Sequence, residues 1–368
     1  MERRTFVSAA VAGGVAASLS ACGPESSDAA AGGGAAPRKN VKWDLASSFP
    51  PALDTIHGAA KVMAERVEQL TEGGFTIDVK VPGEIAAGNK VFDVVRSGGV
   101  QMGHTASYYY IGVNEALAFD TSIPFGLNAR QHQAWLHKAG GMELLRELFA
   151  KYNIVNLAGG NTGTQMGGWF KKEVTSLADL KGLKMRIPGM GGQIMQDLGV
   201  NVQNIPGGDV FPALETGSID AAEWVGPYDD LKLGFNKVAK FYYYPGWWEP
   251  GPALSFYIHK GSWEKLPAFY RNALEVACAE ASAGMMQEYD AKNPTAFAEL
   301  QDKGVELRRY PEDLLVAAKA KMDERTTKLV ADNPDFAKIH KHWDAFRLAS
   351  NAWFSTAELG LASFMANQ

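Results

Sequence analysis

The chain has 368 residues, 46% of them hydrophobic and 21% charged, which is ordinary for a globular protein and long enough for two domains. Its formal net charge of −5 gives no support for a nucleic-acid partner, because nucleic-acid-binding domains normally present a basic face. Only two cysteines are present, Cys22 and Cys278, and Cys278 has no partner within the chain if Cys22 carries a lipid.

The first residues are typical of an export signal rather than of a folded domain. A twin arginine at 3–4 precedes a short stretch of small, mildly apolar residues, and residues 19–22 (LSAC) resemble a lipoprotein cleavage box. We predict this signal over 1–22 and a flexible tether over 23–40, where small and polar residues show no apolar periodicity. The expected location is the periplasm, with Cys22 anchored in a membrane. A simple secretory signal with an accidental cysteine is the alternative.

The body begins near Val41 with alternating strand and helix patterns. Strands are predicted at 41–49, at 76–81 and near 100–107, and the helix between the first two ends at Gly73-Gly74. A run of strand, helix, strand, helix and strand is typical of a parallel sheet that is covered by helices.

The same alternation returns in the middle of the chain, and the end is nearly all helical. Two further strand patterns follow Lys240, which suggests that the chain crosses between two lobes more than once, and three long helices follow Ser262. A cleft between two such lobes is a natural site for a small ligand. The predicted units are a first α/β lobe over 41–160 and part of 250–300, a second α/β lobe over 161–250, and a helical tail over 262–368 that packs across the lobes.

Three stretches of this body resemble one known family. They read LKGLKMRIPGMGG at 180–192, LGVNVQNIPGGDVFPALETGSIDAAEWVGPYDD at 198–230 and YYYPGWWEPGP at 242–252. They look like the solute-binding proteins of tripartite ATP-independent periplasmic (TRAP) transporters, the DctP family, and most like its receptors for 2-oxo acids and lactate. The resemblance extends from Val41 to the last helix. The lipoprotein box departs from many members, which are free in the periplasm.

The resemblance implies both an architecture and a function. The implied fold is α/β and two-lobed, like that of periplasmic binding proteins, with hinged strands between the lobes and long C-terminal helices. The implied function is not enzymatic: a receptor binds a small 2-oxo or 2-hydroxy monocarboxylate, similar to pyruvate or lactate, and delivers it to membrane permease subunits. A membrane-tethered carboxylate sensor and a metal-dependent enzyme acting on 2-oxo acids are the alternatives.

Arg186 and an acidic strand end carry the implied binding site. A guanidinium offers a planar fork that binds a carboxylate through two parallel hydrogen bonds. The resemblance implies that Arg186 holds the ligand carboxylate, while Gln165, Glu223 and the backbone carbonyl of Trp224 hold a cation between ligand and protein. Such oxygen ligands suit Na⁺, Ca²⁺ or Mg²⁺. The charges of Arg186, Glu223 and a monocarboxylate sum to −1, which favours Na⁺, with Ca²⁺ as the alternative because Glu249 would add another negative charge.

Other candidates for ligand contact are less specific. We expect Tyr108 to donate to the ligand, Trp248 to wall the pocket and Phe49 to close it from the first lobe, whereas Asn161 either orients the ligand or makes a turn. The glycine-rich GMGGQ at 189–193 lacks the spacing of a nucleotide-binding loop. We therefore expect no nucleotide site.

The last helix pattern is apolar on more than one side. Its apolar residues include Trp343, Trp353, Leu361 and Phe364. A helix with this distribution needs cover on more than one face. It either packs across the lobes or pairs with a second chain, so a homodimer through this helix is one of two alternatives. Cys278 is expected to be a small core residue.

Overall fold

Two β-sheets organise residues 40–368, the part of the chain that the computed structural model describes. The predicted signal over 1–22, including Cys22, lies outside the described residues, as does the predicted tether apart from Asn40. No helix in the described part is long and apolar enough to cross a membrane.

Strands and helices alternate through most of this part of the chain. The strands are, in chain order, β1 (Val41–Ser47), β2 (Phe75–Lys80), β3 (Met102–Thr105), β4 (Ile154–Asn161), β5 (Gly168–Phe170), β6 (Lys184–Arg186), β7 (Asn201–Gln203), β8 (Ala221–Ala222), β9 (Phe241–Tyr244), β10 (Ala253–His259) and β11 (Glu306–Arg309). The α-helices are α1 (Gly58–Leu70), α2 (Val91–Arg96), α3 (Ala118–Thr121), α4 (Ala129–Lys138), α5 (Gly141–Ala150), α6 (Gly189–Asp197), α7 (Val210–Thr216), α8 (Pro227–Leu233), α9 (Lys260–Lys265), α10 (Ala268–Asp302), α11 (Glu312–Asp332) and α12 (Pro334–Ala366).

The first sheet contains five strands in the order β2-β1-β3-β10-β4. β1 pairs in parallel with β2 and β3, while β10 runs antiparallel to both β3 and β4. The parallel part arises because α1 and α2 connect these strands, and α1 turns Ala60, Met63 and Val67 into the core. We call this sheet and its covering helices the first lobe.

The second sheet contains six strands in the order β11-β9-β5-β8-β6-β7. β6 pairs in parallel with β7 and β8, and β5 lies antiparallel to β8 and β9. As a result, Arg186 at the end of β6 lies directly opposite Ala222 at the end of β8. We call this sheet and its helices the second lobe.

The chain passes between the two sheets at three places. It crosses between β4 and β5, between β9 and β10, and again through α10 on its way to β11. The two strands predicted after Lys240 therefore belong to different lobes. The strand β11 falls within the segment 262–368, which the sequence patterns assign to helices, and it completes the edge of the second sheet beside β9.

The long helices of the C-terminal part bind the lobes together. α10 continues past Pro294 and packs against α1 and β4 of the first lobe and against α8 of the second. Cys278 is buried on this helix, as expected for a small core residue. The first turns of α12 bury Phe336, Ile339 and Trp343, whereas the later turns are exposed.

Candidate functional site

A small cavity lies between the two lobes, with about 10 Å³ of free space, which is room for about one water molecule. The lobes therefore lie close together around this site. Its walls come from both lobes and from the crossing between β4 and β5. The lining residues are Phe49, Ile56, Tyr108, Tyr109, Thr162, Gln165, Arg186, Glu223, Trp224, Val225, Pro252 and Leu254.

Arg186 is the positive charge of this cavity. Its side chain is 2% exposed, and its Nη1 donates to the Glu223 carbonyl oxygen at 2.9 Å and to the Glu223 carboxylate at 3.1 Å. The guanidinium also lies over the Trp224 ring, 5.1 Å from its centroid. Its Nε donates to the Ile205 carbonyl oxygen at 3.4 Å, and the hydrogen bonds among residues 40–368 include none from Nη2. The guanidinium is therefore held in place on one side and retains donor capacity for a carboxylate on the other.

Glu223 and Glu249 place two buried carboxyl groups around that one guanidinium. Burial raises the pKa of Glu223 to about 7, although the nearby charge of Arg186 acts in the opposite direction. Burial, and then the negative charge of Glu223, raise the pKa of Glu249 well above its ordinary value. One guanidinium does not neutralise two carboxylates, so the site lacks one positive charge when both are ionised.

Three oxygen-bearing groups converge next to these charges. The outer atom of the Gln165 side-chain amide lies 3.2 Å from the Trp224 carbonyl oxygen and 3.1 Å from Glu249 Oε2, while its other polar atom is 2.8 Å from Thr162 Oγ1. If the outer atom is oxygen, three acceptors face one another, and a cation between them satisfies all three. If it is nitrogen, the amide donates to both oxygens and closes the site without an ion. The residues therefore fit a hard cation.

This donor set differs from a typical acidic or histidine metal site. Among residues 40–368, no group of three or more His, Cys, Asp or Glu side chains is placed to hold a metal. The converging set relies instead on the Gln165 amide and a backbone carbonyl beside a single carboxyl group.

The tyrosines at 108–110 form a short 3-10 turn that faces the cavity with two of its three rings. Tyr108 and Tyr109 line the cavity, whereas the Tyr110 hydroxyl is 2.7 Å from Thr105 Oγ1 inside the first lobe. Burial, and then the charge of Glu249, raise the pKa of Tyr108 well above its ordinary value. Its hydroxyl therefore stays protonated and remains able to donate.

Six of the predicted contact residues line the cavity, and three lie outside its lining. Those that line it are Phe49, Tyr108, Gln165, Arg186, Glu223 and Trp224. Asn161 donates to the Gly251 carbonyl at 3.1 Å and accepts from Gly163 N at 2.8 Å, so its side chain holds the crossing turn. Trp248 packs on Trp247 and Tyr310. Glu249 is not part of the lining, but its Oε2 lies 3.1 Å from the Gln165 amide.

Several residues of the lining were not predicted as ligand contacts: Ile56, Tyr109, Thr162, Val225, Pro252 and Leu254. Thr162 could have been predicted from the sequence, because it is adjacent to Asn161 in the same polar loop. In the structure its hydroxyl contacts Gln165. Ile56 and Leu254 are apolar residues in ordinary apolar patterns. Only the approach of the two lobes makes them part of a pocket.

A family model for bacterial extracellular solute-binding proteins, family 7 (DctP), matches residues 46–333. Among curated proteins, the chain is 47% identical over 328 residues to the monocarboxylate 2-oxoacid-binding periplasmic protein of Nostoc sp., covering 89% of this chain and 90% of that protein. Both findings agree with the family that the motifs at 180–192 and 198–230 indicate.

Solved structures show the same architecture. A TRAP transporter solute-binding protein from Bordetella bronchiseptica RB50, a mixed-occupancy dimer with copurified calcium and picolinate, is 47% identical, with a TM-score of 0.88 over 89% of this chain and 98% of that one. One from Colwellia psychrerythraea with bound calcium and pyruvate is 38% identical, with a TM-score of 0.85 over 90% of this chain and 100% of that one.

A third structure, from Pseudoalteromonas atlantica T6c, holds sodium and pyruvate. It is 38% identical, with a TM-score of 0.85 over 88% of this chain and 99% of that one. These likenesses confirm the predicted two-lobed α/β fold and the predicted family. The chain belongs to the DctP family of bacterial extracellular solute-binding proteins, the periplasmic receptors of TRAP transporters, which bind solutes rather than transform them.

Proposed function

We propose that this receptor binds a small 2-oxo monocarboxylate such as pyruvate together with a cation, and that 2-hydroxy acids such as lactate are weaker ligands. The observation that carries the proposal is the pairing of one buried guanidinium with converging oxygens from Gln165, Trp224 and Glu249 in a small cavity. The 2-oxoacid-binding relative and the two pyruvate-bound structures support the same ligand class.

Each group has a separate part in the proposed complex. Arg186 binds the ligand carboxylate with the donors that Glu223 does not use. The oxygens of Gln165, Trp224, Glu223 and Glu249 hold the cation. When bound, the cation supplies the missing positive charge and attracts the carboxylate and the 2-oxo oxygen of the ligand. A carboxylic acid without a 2-oxygen lacks the second attachment, which makes the site selective.

The charge balance of the cavity guides the choice of cation. Without Glu249, the charges of Arg186, Glu223 and a monocarboxylate sum to −1, which a monovalent ion neutralises. The structure places Glu249 against Gln165, and its ionised form brings the sum to −2. We therefore propose that Ca²⁺ binds more tightly than Na⁺ and that both support ligand binding. The relatives with pyruvate hold one or the other ion.

The test is calorimetric titration of the metal-stripped protein with pyruvate, lactate and propionate in Ca²⁺, in Na⁺ and in a buffer with neither. We expect pyruvate to bind tightly only with a cation. Propionate, which keeps the carboxylate and loses the 2-oxygen, should bind at least about 100-fold more weakly, since a site built around polar groups rejects an analogue that lacks them. Equal binding of pyruvate and propionate contradicts the proposed ligand class.

We also propose that a second copy of this chain covers the exposed end of α12. Trp353, Leu361 and Phe364 are 60–65% exposed there, a large apolar surface for one helix. A dimeric relative supports this partner. Light scattering should give twice the chain mass for the wild type and the single mass for a Leu361→Glu, Phe364→Glu double variant. A monomeric wild type contradicts the proposal.

We further propose that Cys22 carries a lipid that anchors the receptor to a membrane. The support is the LSAC sequence at 19–22 followed by a tether rich in small residues. Radiolabelled palmitate fed to expressing cells should label the wild type, and Cys22→Ala should be unlabelled. Equal membrane association of both proteins without labelling contradicts a lipid anchor.

A further inference from the structure

Two adjacent aspartates at the start of α8 are buried beside the cation site without lining the cavity. Asp229 is 0% and Asp230 is 1% exposed. They follow the strand β8 and the residues Glu223 and Trp224 by a single short turn. Although neighbours in the chain, the two carboxylates contact different parts of the molecule.

Asp230 is fixed by two aromatic side chains of the second sheet. Its Oδ2 accepts from Trp169 Nε1 at 2.9 Å and from the Tyr242 hydroxyl at 2.6 Å. Those two rings stack with centroids 4.1 Å apart and lie on the paired strands β5 and β9. The carboxylate is thus held rigidly by the sheet.

The other oxygen of this carboxylate faces the backbone of the cation site. Asp230 Oδ1 accepts from Val225 N at 3.3 Å. That N–H belongs to the same peptide unit as the Trp224 carbonyl. A trans peptide is planar and directs its N–H and C=O to opposite sides, so holding the N–H sets the direction of the carbonyl. The carbonyl oxygen faces the Gln165 amide 3.2 Å away.

A carboxylate in this position acts on the carbonyl in two ways. It fixes the rotation of the peptide plane, and its negative charge at the N–H end increases the electron density on the carbonyl oxygen, because linked hydrogen-bonding groups polarise one another. Groups behind the direct ligands of a metal often orient those ligands in this manner.

We infer that Asp230 is a positioning residue that aims the Trp224 carbonyl at the bound cation and strengthens it as a ligand. This inference rests on the proposed function, since it presumes a cation at the converging oxygens. Asp230 should affect the affinity for the cation directly. It should affect the affinity for pyruvate only through the cation.

Asp229 provides a matched control on the same helical turn. Its Oδ2 accepts from the Tyr289 hydroxyl of α10 at 2.6 Å, whereas the Val225 N–H donates to Asp230. Asp229→Asn and Asp230→Asn each replace one fully buried carboxyl group of α8 by an amide. Only the second change alters the group that holds Val225 N–H.

The experiment compares the wild type, Asp230→Asn and Asp229→Asn by calorimetry with pyruvate over a series of Ca²⁺ concentrations. We expect Asp230→Asn to raise the Ca²⁺ concentration needed for half-maximal pyruvate affinity by about 10- to 100-fold. Pyruvate affinity at saturating Ca²⁺ should stay close to that of the wild type. Asp229→Asn should shift the Ca²⁺ requirement by less than about threefold.

A spectroscopic measurement reports on the peptide itself. Trp224-Val225 is the only Trp-Val pair in the sequence, so labelling Trp with ¹³C at the carbonyl and Val with ¹⁵N gives a single correlation peak. Adding Ca²⁺ and pyruvate should move this peak in the wild type and in Asp229→Asn. In Asp230→Asn the peak should start at a different position and move only at the higher Ca²⁺ concentration.

The outcomes separate this inference from the proposed function. Suppose that pyruvate binding by the wild type depends on Ca²⁺. If Asp230→Asn has the same Ca²⁺ requirement as the wild type, or if both variants shift it equally, Asp230 has no positioning role and the proposed function stands. If the wild type binds pyruvate without any cation, both ideas fail. Should Asp230→Asn not fold, Tyr242→Phe removes one hydrogen bond from the carboxylate, and an unchanged Ca²⁺ requirement there overturns the inference.

Discussion

The two lobes contribute different chemistry to the same cavity. The second lobe supplies the charges, Arg186 and Glu223, and the crossing between the sheets adds the Gln165 amide. The first lobe supplies Phe49 and Tyr108, with other apolar and aromatic side chains. On the proposed function, recognition of the anion and the cation is a property of one side, while the other side covers them and excludes water. Exclusion of water strengthens every charge interaction in the cavity.

This difference predicts that substitutions in the second lobe weaken pyruvate binding more than substitutions in the first lobe. The largest effect is expected at Arg186. Arg186→Ala should abolish detectable pyruvate binding and also cost about 3–5 kcal/mol of unfolding free energy, because Glu223 is left buried without a counter-charge.

Arg186→Lys separates those two effects. It keeps the charge beside Glu223 and loses the planar fork, so we expect a melting temperature close to the wild type and roughly 10- to 100-fold weaker binding. Calorimetry and thermal unfolding measure the two quantities. Binding within a few-fold of the wild type in either variant contradicts the role of Arg186 as the carboxylate clamp.

Glu249→Gln sharpens the comparison by changing one charge beside the Gln165 amide. With this group neutral, the charge sum of site and ligand changes from −2 to −1, which removes the advantage of a divalent ion. We expect the Ca²⁺ concentration needed for pyruvate binding to rise by about 10-fold or more, which is the usual cost of losing a group that holds or supports a metal. Pyruvate binding in Na⁺ should persist. An unchanged ratio of Ca²⁺ to Na⁺ affinities shows that Glu249 does not set the choice of cation.

Tyr108→Phe tests the first lobe with its ring kept in place. Loss of one hydrogen bond is worth about 0.5–1.5 kcal/mol, so pyruvate should bind about 2- to 13-fold more weakly. The Ca²⁺ requirement should move less than in Glu249→Gln, because Tyr108 lies beside the Glu249 carboxyl group but supplies no oxygen to the proposed cation site. A shift in that requirement as large as that of Glu249→Gln contradicts the division between the lobes.

The smallest effect is expected at a bridge across the mouth of the cleft. Asp54 of the first lobe accepts from the Tyr228 hydroxyl at 2.9 Å and pairs with Lys232, both on α8 of the second lobe. Such half-exposed pairs contribute about 0–1 kcal/mol, so Asp54→Asn should weaken binding by at most about fivefold. The change should appear in the dissociation rate, because opening the cleft breaks the bridge.

An ion pair within one lobe is the control for this bridge. Asp78 pairs with Lys80 at 2.7 Å on β2 and is similarly exposed. Asp78→Asn should leave the pyruvate dissociation rate unchanged in stopped-flow measurements. If both variants accelerate pyruvate dissociation equally, the effect comes from surface charge and not from closure of the lobes.

Local patterns predicted most of the fold. The parallel run of β1, β2 and β3 and the three long C-terminal helices follow from periodicity and from glycine stops, which are short-range signals. The strand β11 was missed because Glu306–Arg309 carries three charged residues and becomes a strand only by pairing with β9. The helices α4 and α5 were not predicted either.

The site was predictable where its chemistry is concentrated in one segment. Glu223 and Trp224 are adjacent, and β6 places Arg186 opposite the same strand end. Asn161 and Trp248 were harder to assign, since a polar turn and an aromatic core residue have the same local sequence as ligand contacts. The position of Asp230 behind the Trp224 carbonyl follows from the sheet that holds its carboxylate, which no local pattern reveals.

The central claim is that a cation and a 2-oxo acid bind the same cavity cooperatively. Reciprocal titration of the metal-stripped wild type measures this directly: pyruvate affinity over a series of Ca²⁺ concentrations, and Ca²⁺ affinity over a series of pyruvate concentrations. Because coupling between two ligands is reciprocal, we expect each to tighten the other by the same factor, at least about 10-fold. Pyruvate affinity that is independent of both Ca²⁺ and Na⁺ contradicts the claim.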